Sequence, residues 1–141
     1  MQALCDANLL LALVYDWHAH HTVAVAWLEH RASQEAVVCR VAQMALLRLL
    51  SNSTVMASDV CTHSRAWEIW DRVMNDARFL FMQEPPTIEP ALRQYSHADA
   101  PSPKLWQDAY LAAFSRGAGI ALATFDRGFW RFPNLQLELL S

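Results

Sequence analysis

The sequence predicts a single α/β domain with a largely parallel central sheet, and three observations carry that reading. Short apolar runs of strand length alternate with longer segments of helical periodicity along the whole chain. A length of 141 residues fits one compact domain, and 54% hydrophobic with 18% charged content describes a folded core rather than a disordered chain. Glycine occurs only at 117, 119 and 128, so no long flexible linker divides the sequence, and no internal repeat or low-complexity stretch is visible.

The elements follow in order. A short strand at residues 2–5 is succeeded at Asp6 by a helix over 7–15. A second helix covers about 18–31, with Val23, Ala26 and Trp27 marking one face. A strand at 36–39 leads into a helix at 41–50, stopped by the polar Ser51, Asn52 and Ser53. The next helix, 62–76, repeats Trp67, Trp70 and Met74 at three- and four-residue spacing, as a core or interface stripe does. A strand at 78–82 ends at the breaker Pro85-Pro86, and a helix over 87–95 gives way to a polar loop at 97–103. A helix at 105–116 is closed by Gly117 and Gly119, a buried strand follows at 120–125, and 135–139 reads as a last strand.

Composition limits function. A formal charge of −3 excludes general polyanion binding by bulk electrostatics, so any nucleic-acid contact needs a local basic patch. Ten of the eleven cations are Arg, the residue suited to forked phosphate contacts, and Lys104 is the exception. Six tryptophans exceed what a small core needs and predict an oligomeric interface. Cys5, Cys39 and Cys61 show no paired spacing, and Cys5 and Cys39 end apolar runs, so reduced thiols in a cytoplasmic protein are expected. The apolar run 9–15 is too short to span a membrane, and no basic leader or cleavage site precedes it.

The chemistry concentrates in three aspartates. Asp6 and Asp126 each follow a strand, and right-handed crossovers put the ends of parallel strands and the starts of the next helices on one edge. Asp108 and Gln43 fall in the first turns of such helices and should face the same crevice, where open α/β sheets bind ligands. Taken singly, Asp6 is an N-cap, Asp126 a turn residue beside Gly128, and Asp108 a polar position in an apolar helix. Taken together, carboxylates at one address repel unless a cation sits among them, which points to a hard divalent ion such as magnesium or manganese and to phosphate chemistry. Arg40, Lys104 and Arg127 are the cations near these acids, placed either to contact a phosphate backbone or to form salt bridges within the domain or to a partner. His18, His20 and His21 lack a third ligand and read as exposed or interface residues rather than a zinc site.

The segments DANLLLAL, RVAQMALLRLLSN, KLWQDAYLAAF and LATFDRGF, in this order, resemble the PIN-domain family and, more narrowly, VapC-type toxins of bacterial toxin–antitoxin pairs. The resemblance implies a PIN-like three-layer sandwich and a Mg²⁺-dependent endoribonuclease, with Mn²⁺ as a possible substitute. It further implies an RNA substrate, a homodimer and neutralisation by a small VapB-like antitoxin. It maps the metal-binding and catalytic acids onto Asp6, Asp108 and Asp126, with Asn8 and Thr124 in support. One position departs: Gln43 stands where many members carry glutamate, and an amide offers one neutral oxygen and no negative charge. The alternative is therefore a PIN-like RNA- or partner-binding protein with weak or no catalysis. A phospho-receiver fits poorly, since Asp6 is followed by Ala7 rather than a second acid, and the D-x-D spacing of aspartate phosphatases is missing.

Overall fold

The computed structural model describes residues 1–141. Five strands form one sheet: β1 (Ala3–Cys5), β2 (Ala36–Val38), β3 (Phe79–Phe81), β4 (Ala121–Thr124) and β5 (Leu137–Leu139). Their spatial order is β3-β2-β1-β4-β5, and all four pairings are parallel. Successive crossovers move outward from β1 on one side and then restart on the other. The gap between β1 and β4 is therefore the topological switch point, where a crevice opens beyond the carboxyl ends of the strands.

Consecutive strand residues point to opposite faces, so burial at every position means that both faces are covered. That holds for Ala3, Leu4 and Cys5 and for Ala36, Val37 and Val38, all fully buried. The edge strands β3 and β5 are partly exposed. Around the sheet lie α1 (Ala7–Val14), α2 (His21–Glu29), α3 (Arg40–Leu50), α4 (Ser53–Met56), α5 (His63–Asn75), α6 (Ile88–Tyr95) and α7 (Pro103–Ala118). Helix α7 packs on β1 and β4 and along α6, while α3 touches α1, α5 and α7. Phe114, Phe129, Leu9, Leu10, Leu46 and Leu111 fill the core. No helix is long and apolar enough to cross a membrane.

Several boundaries differ from the sequence expectation, each for a local reason. Helix α2 begins at His21, so His18 and His20 lie in a turn and not on a helical face. The triple Ser51-Asn52-Ser53 ends α3 but also starts α4, because the Asn52 side chain accepts the Thr54 N–H at 2.9 Å as an N-cap. Helix α7 starts earlier, with Pro103 in its first turn, where a missing N–H costs nothing. Gly117 does not close α7 but lies inside it, where an added Cβ would sit 3.2 Å from the Pro85 ring. Gly119 alone supplies the left-handed C-cap, at φ 68°. Of the tryptophan stripe on α5, Trp70 is in the core and Trp67 is exposed.

Candidate active site

Burial of polar groups singles out one end of the sheet. The buried polar residues are Asp6, Gln43, Asp108, Ser115 and Thr124, and all but Ser115 lie at the carboxyl edge. Buried polar side chains cost free energy unless satisfied, so their concentration at one edge needs a local account.

Strand register provides the first part. Cys5 pairs with Ala123 across the parallel β1–β4 ladder, which brings the next residues, Asp6 and Thr124, side by side. The Asp6 carboxylate accepts the Ala7 N–H at 2.7 Å and the Thr124 hydroxyl at 2.7 Å. A hydroxyl has one proton, so Thr124 Oγ1 then serves as an acceptor, taking the Asn8 side-chain amide at 3.2 Å and the Asp126 N–H at 3.0 Å. The Asn8 carbonyl oxygen accepts the Phe125 N–H at 3.3 Å. Asp6, Asn8, Thr124 and the backbone entering Asp126 thus form one network. Burial pushes the Asp6 carboxyl up to about 6, against the Thr124 and Ala7 donors, and the charges of Asp108 and Asp126 add to the rise.

Asp126 and Asp108 are treated differently. Asp126 accepts the Gly128 N–H at 2.8 Å, closing a 3₁₀ turn over Arg127–Arg131. That bond, helped by Lys104 Nζ at 3.3 Å, holds its carboxyl below the usual range. Asp108 lies in the second turn of α7, on the stripe shared by Lys104 and Ala112 at four-residue spacing. It is 6% exposed and accepts from Arg131 Nη2 at 3.0 Å. Asp108, Asp126, Lys104 and Arg131 together line a cavity of about 840 Å³ that extends toward the 97–102 loop. Asp6 does not line it, although its carboxylate lies close enough to feel both other acids.

Gln43 is buried in the first turn of α3, and its side-chain oxygen accepts from Arg40 Nη1 at 2.6 Å. Arg40 also lies 4.9 Å over the Phe81 ring, so this exposed side chain is already engaged by two residues of its own domain. Lys104 is tethered to Asp126, and Arg127 is exposed next to it. Two of the predicted histidines are engaged elsewhere, since His21 Nδ1 bonds the Ala12 carbonyl at 2.7 Å and His20 stacks on Phe125, whereas His97 lines the same cavity as Asp108 and Asp126.

Residues 3–135 match the PIN domain family. The chain belongs to the PIN-domain family. Among PIN-domain relatives, Ribonuclease VapC41 of Mycobacterium tuberculosis is 37% identical over 98% of each chain. Ribonuclease VapC38 of the same organism is 26% identical over 99% of this chain and 98% of that one. VapBC2 from Rickettsia felis, bound to a DNA fragment from its promoter, superposes with a TM-score of 0.68 at 11% identity, covering all of both chains. M. tuberculosis VapC20, a Sarcin-Ricin loop cleaving toxin, gives 0.65 at 16% identity over 92% and 93% of the two chains. These two structures speak for the PIN fold.

The donor set of this PIN domain is all oxygen and anionic, which suits a hard divalent cation by its chemistry. In the geometry present, no three acidic, histidine or cysteine side chains converge closely enough to hold one ion. Arg131 and Lys104 supply the positive charge at two of the three carboxylates instead. Sequence reasoning did not assign Arg131 to the site. Its signal was present in the turn D-R-G-F-W-R, where an aspartate and an arginine five residues apart bracket a glycine.

Proposed function

We propose that this PIN domain is a metal-dependent endoribonuclease, the toxin of a toxin–antitoxin pair, acting with Mg²⁺ or Mn²⁺ at Asp6, Asp108 and Asp126. The full-length relationship to a protein named as a ribonuclease supports RNA hydrolysis. The structural observation that carries the reading is the burial of Asp6, Asp108, Gln43 and Thr124 at a single sheet edge. A bound divalent ion there would polarise the phosphodiester and lower the pKa of an attacking water, giving a 5′-phosphate and a 3′-hydroxyl. The chain's own residues have defined tasks. Thr124 and the Ala7 N–H fix the Asp6 carboxylate, Asn8 orients Thr124, and the Gly128 N–H keeps Asp126 ionised. Lys104 and Arg127 supply positive charge for the RNA backbone beside the acids.

A binding protein disabled by Gln43 is not favoured, because the ribonuclease relative extends over the whole chain. A VapB-like antitoxin is the partner in this reading, and solved VapBC assemblies with the same fold support it. A cytoplasmic homodimer completes the proposal. The test is incubation of purified protein with structured RNA in magnesium, in manganese and in chelator. Cleavage should require metal and disappear in Asp6→Asn and Asp108→Asn. Cleavage that persists in both variants would sink the assignment.

A further inference from the structure

We propose that Arg131 is a built-in competitor for the divalent cation: its guanidinium and the ion share the Asp108 carboxylate, and Arg131 sets how tightly the crevice takes metal. This inference rests on the metal-nuclease reading above.

The observations are geometric. Arg131 Nη2 donates to Asp108 Oδ2 at 3.0 Å, and Nη1 donates to the Gly128 carbonyl at 3.0 Å. The guanidinium also lies 4.7 Å over the Phe132 ring. A planar group held on three sides is far more ordered than a free surface arginine. Gly128 makes this possible. A Cβ there would sit 2.9 Å from Arg131 Nη1 and 3.0 Å from Asp126 Oδ1, so any side chain at this position would push the guanidinium or the carboxylate out of its present place.

Asp108 is almost fully buried, and its ionic partner is Arg131. Stripping a buried ion pair of one partner is costly, so Asp108 favours a cation beside it, either the guanidinium or a metal ion. The two exclude one another in part, because a dication on Asp108 would lie against a fixed positive group. Lys104 at Asp126 is the weaker version of the same device, being 77% exposed at 3.3 Å.

Mn²⁺ binding to the full chain without RNA, read from the free Mn²⁺ signal in electron paramagnetic resonance, tests this. Arg131→Gln should bind Mn²⁺ about twofold to fivefold more tightly than wild type, the range expected for release of one partly exposed ion pair. Arg131→Lys should fall between them, and Lys104→Gln should shift affinity less than about twofold. Asp108→Asn should lose the binding. Circular dichroism establishes that each variant is folded, and if Arg131→Gln is not, Arg131→Lys decides. Affinity unchanged or weakened in the folded Arg131 variants, with Asp108→Asn still losing Mn²⁺, overturns the competitor role and leaves the metal site standing. No Mn²⁺ uptake by any variant, or uptake indifferent to Asp108→Asn, overturns the metal site and this proposal with it.

Discussion

The two ends of the parallel sheet handle charge in opposite ways. Near the amino ends of the strands, charges come as matched pairs: the Met1 amine with Glu35, and Arg78 with Asp76. At the carboxyl ends, three aspartates gather around two cations, and Asp6 is held by neutral donors alone. The lower end is arranged to hold strands and loops together. The upper end keeps an unmatched buried carboxylate, which weakens the fold locally and leaves a standing demand for a cation. Sites that violate the rules obeyed elsewhere in a molecule are where function is expected.

The largest expected effect comes from breaking the upper end. Asp108→Asn removes a charge but little volume, and metal-dependent RNA cleavage should fall about 100-fold or more, as for loss of a group acting on the transition state. Single-turnover rates at saturating Mg²⁺ measure it. A loss below about threefold would mean that Asp108 is only a structural partner of Arg131.

Second in size is a gain in stability from Asp6→Asn. The folded Asp6 pKa is raised from 3.8 to about 6. Between those values the folded state binds more protons than the unfolded chain, so stability falls as pH rises through the window. The penalty is complete above about pH 6 and absent below about pH 4. In metal-free buffer at pH 7.5 the variant should therefore be more stable by about 1–3 kcal/mol, or roughly 3–8 °C in Tm. The gain should shrink toward zero at pH 4. An equal Tm difference at both pH values would show that the unmatched charge is not its origin.

The sequence made the upper end legible more readily than the lower. Strand–helix alternation and crossover handedness were enough to place Asp6 and Asp126 beyond strand ends on one edge and Gln43 at a helix start, whereas the adjacency of β1 and β4 comes from the fold. The acids also stand out because apolar residues surround them. What could not be read were partners distant in the chain. Arg131 reaches Asp108 only through the turn that Asp126 and Gly128 build, and Trp27 finds Glu138 only because β5 ends the sheet beside α2. The cap at Asn52 was hidden for a different reason, since the same polar triple serves as a stop and a start. Local chemistry shows in a sequence, whereas the pairing of charges requires the fold.

Gln43→Glu tests whether the upper end lacks an acid it needs. The Gln43 oxygen already accepts from Arg40, and a glutamate in the same rotamer would pair with that arginine rather than add free charge to the cluster. The cleavage rate should change by less than about threefold. A gain above about tenfold would show that the natural amide limits the enzyme.

The smallest effect should come from the lower end, and it makes the contrast between the ends falsifiable. Arg78 donates to Asp76 through Nε at 3.0 Å and Nη2 at 2.7 Å, while the Asp76 carboxylate also accepts the Arg78 N–H at 3.0 Å just before β3. The Arg78 side chain holds the Asp76 carboxyl below its ordinary value, so the contribution is present at neutral pH and is lost as acid protonates the folded group. Both side chains are about one-third exposed, which limits the pair to about 0.5–1 kcal/mol. Arg78→Gln should lower stability by that amount in urea unfolding at pH 7 and by less at pH 3, and leave RNA cleavage within about twofold of wild type. If Arg78→Gln instead slowed cleavage as Asp108→Asn does, the two ends would be coupled through the strands, and the division between a holding end and a working end would fail.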